Sequence, residues 1–232
     1  MGGHLARHFA RVIAYEPGGV DTCGGVGRAS GLDEVSACDA VVIAVPLGAM
    51  RDVLVELAPR LRAKGSARIV ADVCSVKVEP IRLMLEILPS DVEIVGTHPL
   101  FGPQSGAGGI EGLPIALCPA RAGSKTLAQV RALLTDALRL RVIDADAEGH
   151  DREMAYVQGL THYLSRALAT MPLPETPLAT VAYQRLLAMR ANLSADSWAL
   201  FETIQRGNVH AAEVRAALRR ELELLESRLS GP

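Results

Sequence analysis

No apolar run in the 232-residue chain is long enough to cross a bilayer. The longest, Ala40 to Met50, is about half the length a transmembrane helix needs, so no membrane partner is expected. No secretory signal is expected either, because His4, Arg7, His8 and Arg11 interrupt anything resembling an apolar leader core. Cysteine is sparse: Cys23, Cys38, Cys74 and Cys118 lie far apart and show no C-x-x-C spacing, which excludes an ordinary zinc site, and no metal is expected. They read as reduced thiols of a cytoplasmic protein, most of them buried in or beside strands. The net charge is only −2, with no long Lys/Arg block. That excludes nucleic acid as the main partner. Arg215, Arg219, Arg220 and Arg228 alternate with Glu213, Glu221, Glu223 and Glu226, as on a solvated helix face. Internal repeats and low-complexity tracts are absent.

What is present is a globular composition, 49% hydrophobic and 22% charged. The length allows one large domain or two small ones. The first half alternates β-rich runs with helical patterns. Arg11–Tyr15, Ala40–Val45, Arg68–Val73, Val92–Gly96, Pro114–Cys118 and Arg141–Asp144 read as strands. Several are nearly continuous Val/Ile/Ala runs, as in parallel strands covered on both faces. Leu47–Leu61, Glu79–Leu88 and Ser124–Leu138 read as helices between them, and this βαβα order predicts a doubly wound α/β sheet. After about Asp144 the strand signal stops. His150–Thr170 reads as a long helix and Met171–Pro177 as a Pro-rich break. Further helical segments run over Leu178–Asn192 and Asp196–Arg228. The expected division is therefore 1–146, an α/β domain, and 147–232, an all-α domain whose spare apolar stripes predict dimerisation.

Several loops carry chemistry-bearing residues. A dinucleotide-binding unit runs from a strand through G-x-G-x-x-G into a helix, with an acidic residue ending the next strand. Here Gly2 opens a helix and Glu16 ends a strand, so only the tail of that device is visible. His98 follows a buried-type strand and enters a Pro/Gly loop, Pro99-Leu100-Phe101-Gly102-Pro103-Gln104-Ser105-Gly106. A histidine at the carboxyl end of such a strand is well placed as a general base. A second strand-end loop, Asp72-Val73-Cys74-Ser75-Val76-Lys77, offers the Ser75 hydroxyl to a substrate or a cofactor ribose and the Lys77 ammonium to a carboxylate. The competing reading of Ser75 is a helix N-cap. Val45-Pro46 would line the same crevice. His150 and Asp151 read as helix-start residues suited to the macrodipole. Gln158 and His162, four apart on one helix face, form a polar pair that a substrate pocket would satisfy.

Together these segments resemble the prephenate/arogenate dehydrogenases, most of all the plant-type arogenate branch. The resemblance runs through Ser75-Val76-Lys77, Thr97 to Gly106, Glu111-Gly112-Leu113, His150-Asp151 and Gln158-Gly159-Leu160-Thr161-His162. It covers roughly residues 1 to 215. It implies a Rossmann-like domain followed by an all-α dimerisation domain. The implied reaction is oxidative decarboxylation of prephenate or arogenate, with NAD taking the hydride, on the way to tyrosine. His98 would be the catalytic base and Ser75 would orient it and the substrate. His162, Gln158, Thr161, Lys77 and Asn192 would contact the small-molecule substrate. Gly2, Glu16, Val45, Pro46 and Ser75 would form the cofactor site. An acid at position 16 suits the free 2′-hydroxyl of NAD and repels the 2′-phosphate of NADP. Partners would be a second copy through the C-terminal helices, with no nucleic acid and no membrane.

Two departures accompany the resemblance. The family's opening strand and first two glycines are not in this chain. Their loss would leave strands with unpaired backbone groups and predicts poor cofactor affinity. The position where many prephenate-specific members carry arginine holds Asn192, as in plant-type enzymes, which leaves the side-chain substituent, keto or amino, undecided. A relative acting on 4-amino-4-deoxyprephenate, or an impaired paralogue serving as a binding or dimerisation module, are the other readings.

Overall fold

The computed structural model describes residues 2–19, 25–62, 68–102, 105–194 and 196–231. Two compact units divide the chain, Met1–Ala147 and Glu148–Pro232. In the first, helix α1 (Gly2–Leu5) precedes β1 (Ile13–Ala14) and β2 (Gly27–Arg28), which pair in parallel as a separate two-stranded sheet. Helix α2 (Leu32–Ser36) leads into the main sheet. Its strands stand in sequence order: β3 (Ala40–Ile43), β4 (Ile69–Asp72), β5 (Glu93–Pro99), β6 (Pro114–Arg121) and β7 (Arg141–Asp144). Helices α3 (Leu47–Arg62), α4 (Val78–Ile87) and α5 (Ser124–Ala132) connect them, the last continuing into a π turn at Leu133–Ala137.

Strand alternation builds a core on each face of this sheet. Val41, Val70 and Ile94, neighbours across β3, β4 and β5, pack with Met50, Leu54, Leu57, Ile81 and Met84. The next residue of β5, Val95, points the other way and packs with Ile115, Leu117, Leu134 and Leu138. Met50, Leu54, Leu57 and Met84 are completely buried. Each such side chain stabilises the fold by about 1.5–3 kcal/mol relative to exposure.

Strands β3, β4 and β5 run parallel, but β6 turns back antiparallel to β5, and β7 follows β6 in parallel. The sheet is mixed, which corrects the expectation of a wholly parallel one. A parallel return would need a crossover, usually helical. The connection over 100–113 forms turns and holds no helix among its described residues.

The second unit is helical: α6 (Ala147–Met154), a π segment (Ala155–Leu160), α7 (Thr161–Ala169), α8 (Val181–Ser194), α9 (Trp198–Glu202), a further π turn (Thr203–Gly207) and α10 (Ala211–Leu229). The segment expected to be one helix from Asp196 to Arg228 breaks at Asn208, whose backbone is extended. The Asn208 amide donates to the Asp151 carbonyl at 2.7 Å, and its Oδ1 accepts the His210 backbone N–H at 2.9 Å. His150 and Asp151 also differ from the helix-start reading. The helix begins at Ala147, both side chains are buried, and His150 Nδ1 lies 2.8 Å from Asp151 Oδ1. Among the described residues no helix is long and apolar enough to cross a membrane, and no cluster of three or more His, Cys, Asp or Glu could hold a metal ion.

Candidate active site

The carboxyl ends of β3, β4 and β5 share one edge of the sheet, the place where open α/β sheets hold ligands. Hydrogen bonds join the loops that leave it. Val73 N donates to Ile43 O at 3.2 Å, and Cys74 Sγ reaches Val45 O at 3.8 Å. Val45 is half-buried and Pro46 exposed on the first of these loops.

His98 is the penultimate residue of β5, opposite Ala116 of β6 and only 4% exposed. The strand thus runs three residues further than the apolar run alone implies, and the imidazole sits on the sheet rather than beyond it. In the loop that follows, Gly102 N donates to Ser105 Oγ at 2.9 Å. Pro103 and Gln104 lie outside the described residues.

Ser75 is half-buried in the loop after β4. It does not cap α4, because the N-cap position is Lys77. Among the described residues, no protein group bonds the Ser75 hydroxyl, so the oxygen is available to a ligand at the same edge as His98.

Lys77 takes a different part from the one its sequence position implied. Its side chain is fully buried, its ammonium pairs with Asp72 Oδ2, and it donates to the Thr97 carbonyl at 2.6 Å. The carboxylate that it meets is the protein's own, which corrects its reading as a contact for the substrate carboxylate. The residue that sequence reasoning missed is Asp72, at the end of a β-branched run. Burial pushes its carboxyl above the ordinary range, and the Lys77 ammonium opposes that. Burial, with the Asp72 charge, also pushes the Cys74 thiol up to about 12.

At the other end of the proposed cofactor set, Glu16 is exposed just after β1, and its carbonyl accepts Gly19 N at 2.9 Å. Gly2 opens the four-residue α1.

In the helical unit, His162 is buried on α7, with Nδ1 3.4 Å from Asp196 Oδ2. Burial lowers its affinity for a proton, the Asp196 carboxylate opposes that, and Arg166 adds to it. Arg166 in turn donates to the Asp196 carbonyl and lies over the Trp198 and Phe201 rings at 5.6 and 5.4 Å. Asp196 was invisible as a partner in the sequence, since 34 positions separate it from His162. Gln158 is half-buried, and no described residue bonds its side-chain amide. Thr161 directs its hydroxyl back to the Val157 and Gln158 carbonyls at 2.7 and 3.1 Å, leaving only the acceptor side of that oxygen to a ligand. The side chain of Asn192 lies outside the described residues.

A mixed sheet with helices, a ligand edge at the ends of β3 to β5 and a C-terminal helical region define a Rossmann-like, nucleotide-binding class of protein. Residues 19–142 match the family model of the prephenate dehydrogenase nucleotide-binding domain, and the chain belongs to that family. Residues 167–232 match the model of a TYRAAT1-like C-terminal domain.

Among curated proteins, arogenate dehydrogenase 1, chloroplastic, of Arabidopsis thaliana is 32% identical over 182 residues, 77% of this chain and 28% of that protein. Arogenate dehydrogenase 2, chloroplastic, of the same plant is 32% identical over 166 residues, 69% of this chain and 46% of that protein. The chain thus spans less than half the length of these relatives. Two solved structures share the fold at 19% identity each. The Synechocystis arogenate dehydrogenase has a TM-score of 0.64, covering 88% of this chain and 76% of that one. The A. aeolicus prephenate dehydrogenase, in complex with hydroxyphenyl propionate and NAD+, has a TM-score of 0.73, covering 97% and 84%.

Proposed function

We propose that the chain oxidatively decarboxylates prephenate or arogenate with NAD, giving 4-hydroxyphenylpyruvate or tyrosine. The observation that carries this reading is that one sheet edge carries both a buried histidine, His98, and a serine, Ser75, whose hydroxyl no described residue bonds. The relatives' names, arogenate dehydrogenases, support the substrate class, and the NAD+ complex of a protein with this fold supports the cofactor.

The residues present fit a dinucleotide. The exposed Glu16 carboxylate after β1 suits a free ribose 2′-hydroxyl and repels a 2′-phosphate, and the half-buried Val45 with Pro46 offers an apolar wall beside Ser75. Gly2 belongs to the same cofactor set. Bound NAD would supply the hydride acceptor for the ring C4 hydrogen. His98 takes the proton of the C4 hydroxyl, and Ser75 holds that hydroxyl and the imidazole in line. The bond to the ring carboxylate then breaks, CO2 leaves, and the electron pair runs through the ring onto the C4 oxygen, which regains a proton as a phenol. The resemblance to the family assigns His162, Gln158, the acceptor side of Thr161 and Asn192 to substrate binding.

The test is NADH production by the full chain with each substrate and with NAD or NADP. The expected result is NADH together with the aromatic product, with NAD preferred. A general base contributes about 10²–10⁴-fold, so His98→Asn should reduce turnover by at least about 10²-fold. A folded chain that binds NAD but yields no NADH from either substrate would overturn the reading.

The same proposal includes a cytoplasmic homodimer formed through the C-terminal helices. Support comes from Leu222, Leu224, Leu225 and Leu229 on α10, each more than half exposed, since contiguous apolar surface favours association. Cys38 and Cys74 are free thiols, as suits a reducing compartment. Sedimentation at a monomer's mass would refute the dimer.

A further inference from the structure

We infer that the buried Asp72–Lys77 pair is a positioning device for the candidate catalytic edge, holding the Ser75 loop and the His98 strand in one register. This rests on the dehydrogenase reading and deepens it.

The connections are specific. Asp72 is the last residue of β4, and its Oδ2 accepts both the Cys74 backbone N–H at 2.9 Å and the Lys77 ammonium. The carboxylate therefore closes the Val73–Lys77 loop on itself, around Ser75. The same ammonium donates to the Thr97 carbonyl, while Thr97 Oγ1 donates to the Asp72 carbonyl. Thr97, the residue immediately before His98, is thus fixed at two atoms by the β4 end and its loop. Neighbouring side chains of a strand point to opposite faces. The clamp therefore grips the backbone from the Thr97 side and leaves the His98 imidazole on the other.

Stability alone does not account for this pair. Both side chains are fully buried, and Asp72 Oδ1 is buried with no partner among the described residues. A buried ion pair whose remaining lone pairs are unsatisfied is a poor stabiliser, and apolar or neutral replacements of such pairs often fold equally well. What the pair supplies is geometry: one ammonium joins two strand-end segments, each carrying one of the two proposed reacting-site groups. Misplacement of reacting groups by about 1 Å can cost on the order of 10²-fold in rate.

The experiment compares the full chain with Asp72→Asn/Lys77→Met, which keeps the Cys74 tether, the Thr97 hydroxyl bond to the Asp72 carbonyl and the packing volume while removing the ammonium link to the Thr97 carbonyl. Thermal unfolding, kcat and KM, and NMR of the labelled His98 imidazole are read together. The expected result is an unchanged or raised Tm, KM within about twofold, kcat lowered about 10–100-fold, and displaced or exchange-broadened His98 signals. A folded double variant with wild-type kcat and unchanged His98 signals would overturn the inference. If the double variant does not fold, Lys77→Met is read alone, with the same two outcomes. If the wild-type chain makes no NADH, the dehydrogenase reading fails by itself. The His98 signals then decide the positioning role, displacement supporting it and constancy refuting it.

Discussion

Nδ1 of His162 lies 3.4 Å from the Asp196 carboxylate, yet its protonation is held down, because burial outweighs the neighbouring negative charge. A histidine whose folded pKa is below its unfolded value binds fewer protons in the native state. Its contribution to stability is therefore complete above the unfolded pKa, about 6.5, and is lost as pH falls below it. The helical unit should lose Tm on acidification through that window. His162→Gln should flatten this part of the Tm-against-pH curve. Asp196→Asn should steepen it, since it removes the group that favours the charged form. A flatter curve for Asp196→Asn would show that the carboxylate, not burial, governs this histidine.

Cys74 illustrates the opposite consequence of burial. Its thiol is pushed up to about 12 by burial, reinforced by the Asp72 charge. Only the thiolate is an effective nucleophile, so a thiol with that pKa is inert near neutrality. Alkylation with iodoacetamide at about pH 8, followed by peptide mass spectrometry, should leave Cys74 unmodified in the native chain and modify it in denaturant. Rapid native labelling of Cys74 would place the loop after β4 in a more open arrangement than the one described.

Legibility in the sequence followed the strength of local signals. Ala40–Ile43 and Ile69–Asp72 were readable because continuous Val/Ile/Ala runs leave little choice but buried strand. The two-residue β2 at Gly27–Arg28 was not, since no periodicity can be read from two residues. The reversal of β6 was not read either, although a Gly-rich, helix-free connection before it carried the signal. His98 and Ser75 stood out because turn-forming residues surround them at strand ends. Their supports did not. The ties from Lys77 to Asp72 and to the Thr97 carbonyl, and from His162 to Asp196, depend on tertiary placement, and a lysine after a serine reads as exposed until its burial is seen.

Asn208 ends the π turn after α9 and holds the entry to α10. It is 3% exposed, donates to the Asp151 carbonyl and accepts the His210 backbone N–H. Asn208→Ala leaves a buried carbonyl and a backbone N–H without these partners, each a penalty of about 1–3 kcal/mol. Chemical denaturation should register a loss of at least about 1 kcal/mol with an unchanged m-value. Asn208→Asp keeps the acceptor for His210 but not the donor, and should fall between the two. A neutral Asn208→Ala would mean that water replaces both bonds.

Gly96 lies two residues before His98, where Ile81 of α4 packs against β5. A Cβ there would meet Ile81 Cδ1 at 2.8 Å and the Cys118 carbonyl oxygen at 3.1 Å. The isoleucine tip can rotate away, but the carbonyl belongs to the β5–β6 ladder, in which Gly96 pairs with Cys118. Gly96→Ala therefore forces the two strands or the helix apart, and overpacking of this kind costs about 1–3 kcal/mol. Ile81→Val should relieve only the helix side, so the double variant should recover part of the loss measured by thermal unfolding. Full recovery would locate the strain in the helix alone. Partial recovery, the expected result, assigns the remainder to the strand that carries His98, so Gly96→Ala should lower turnover even where the fold survives.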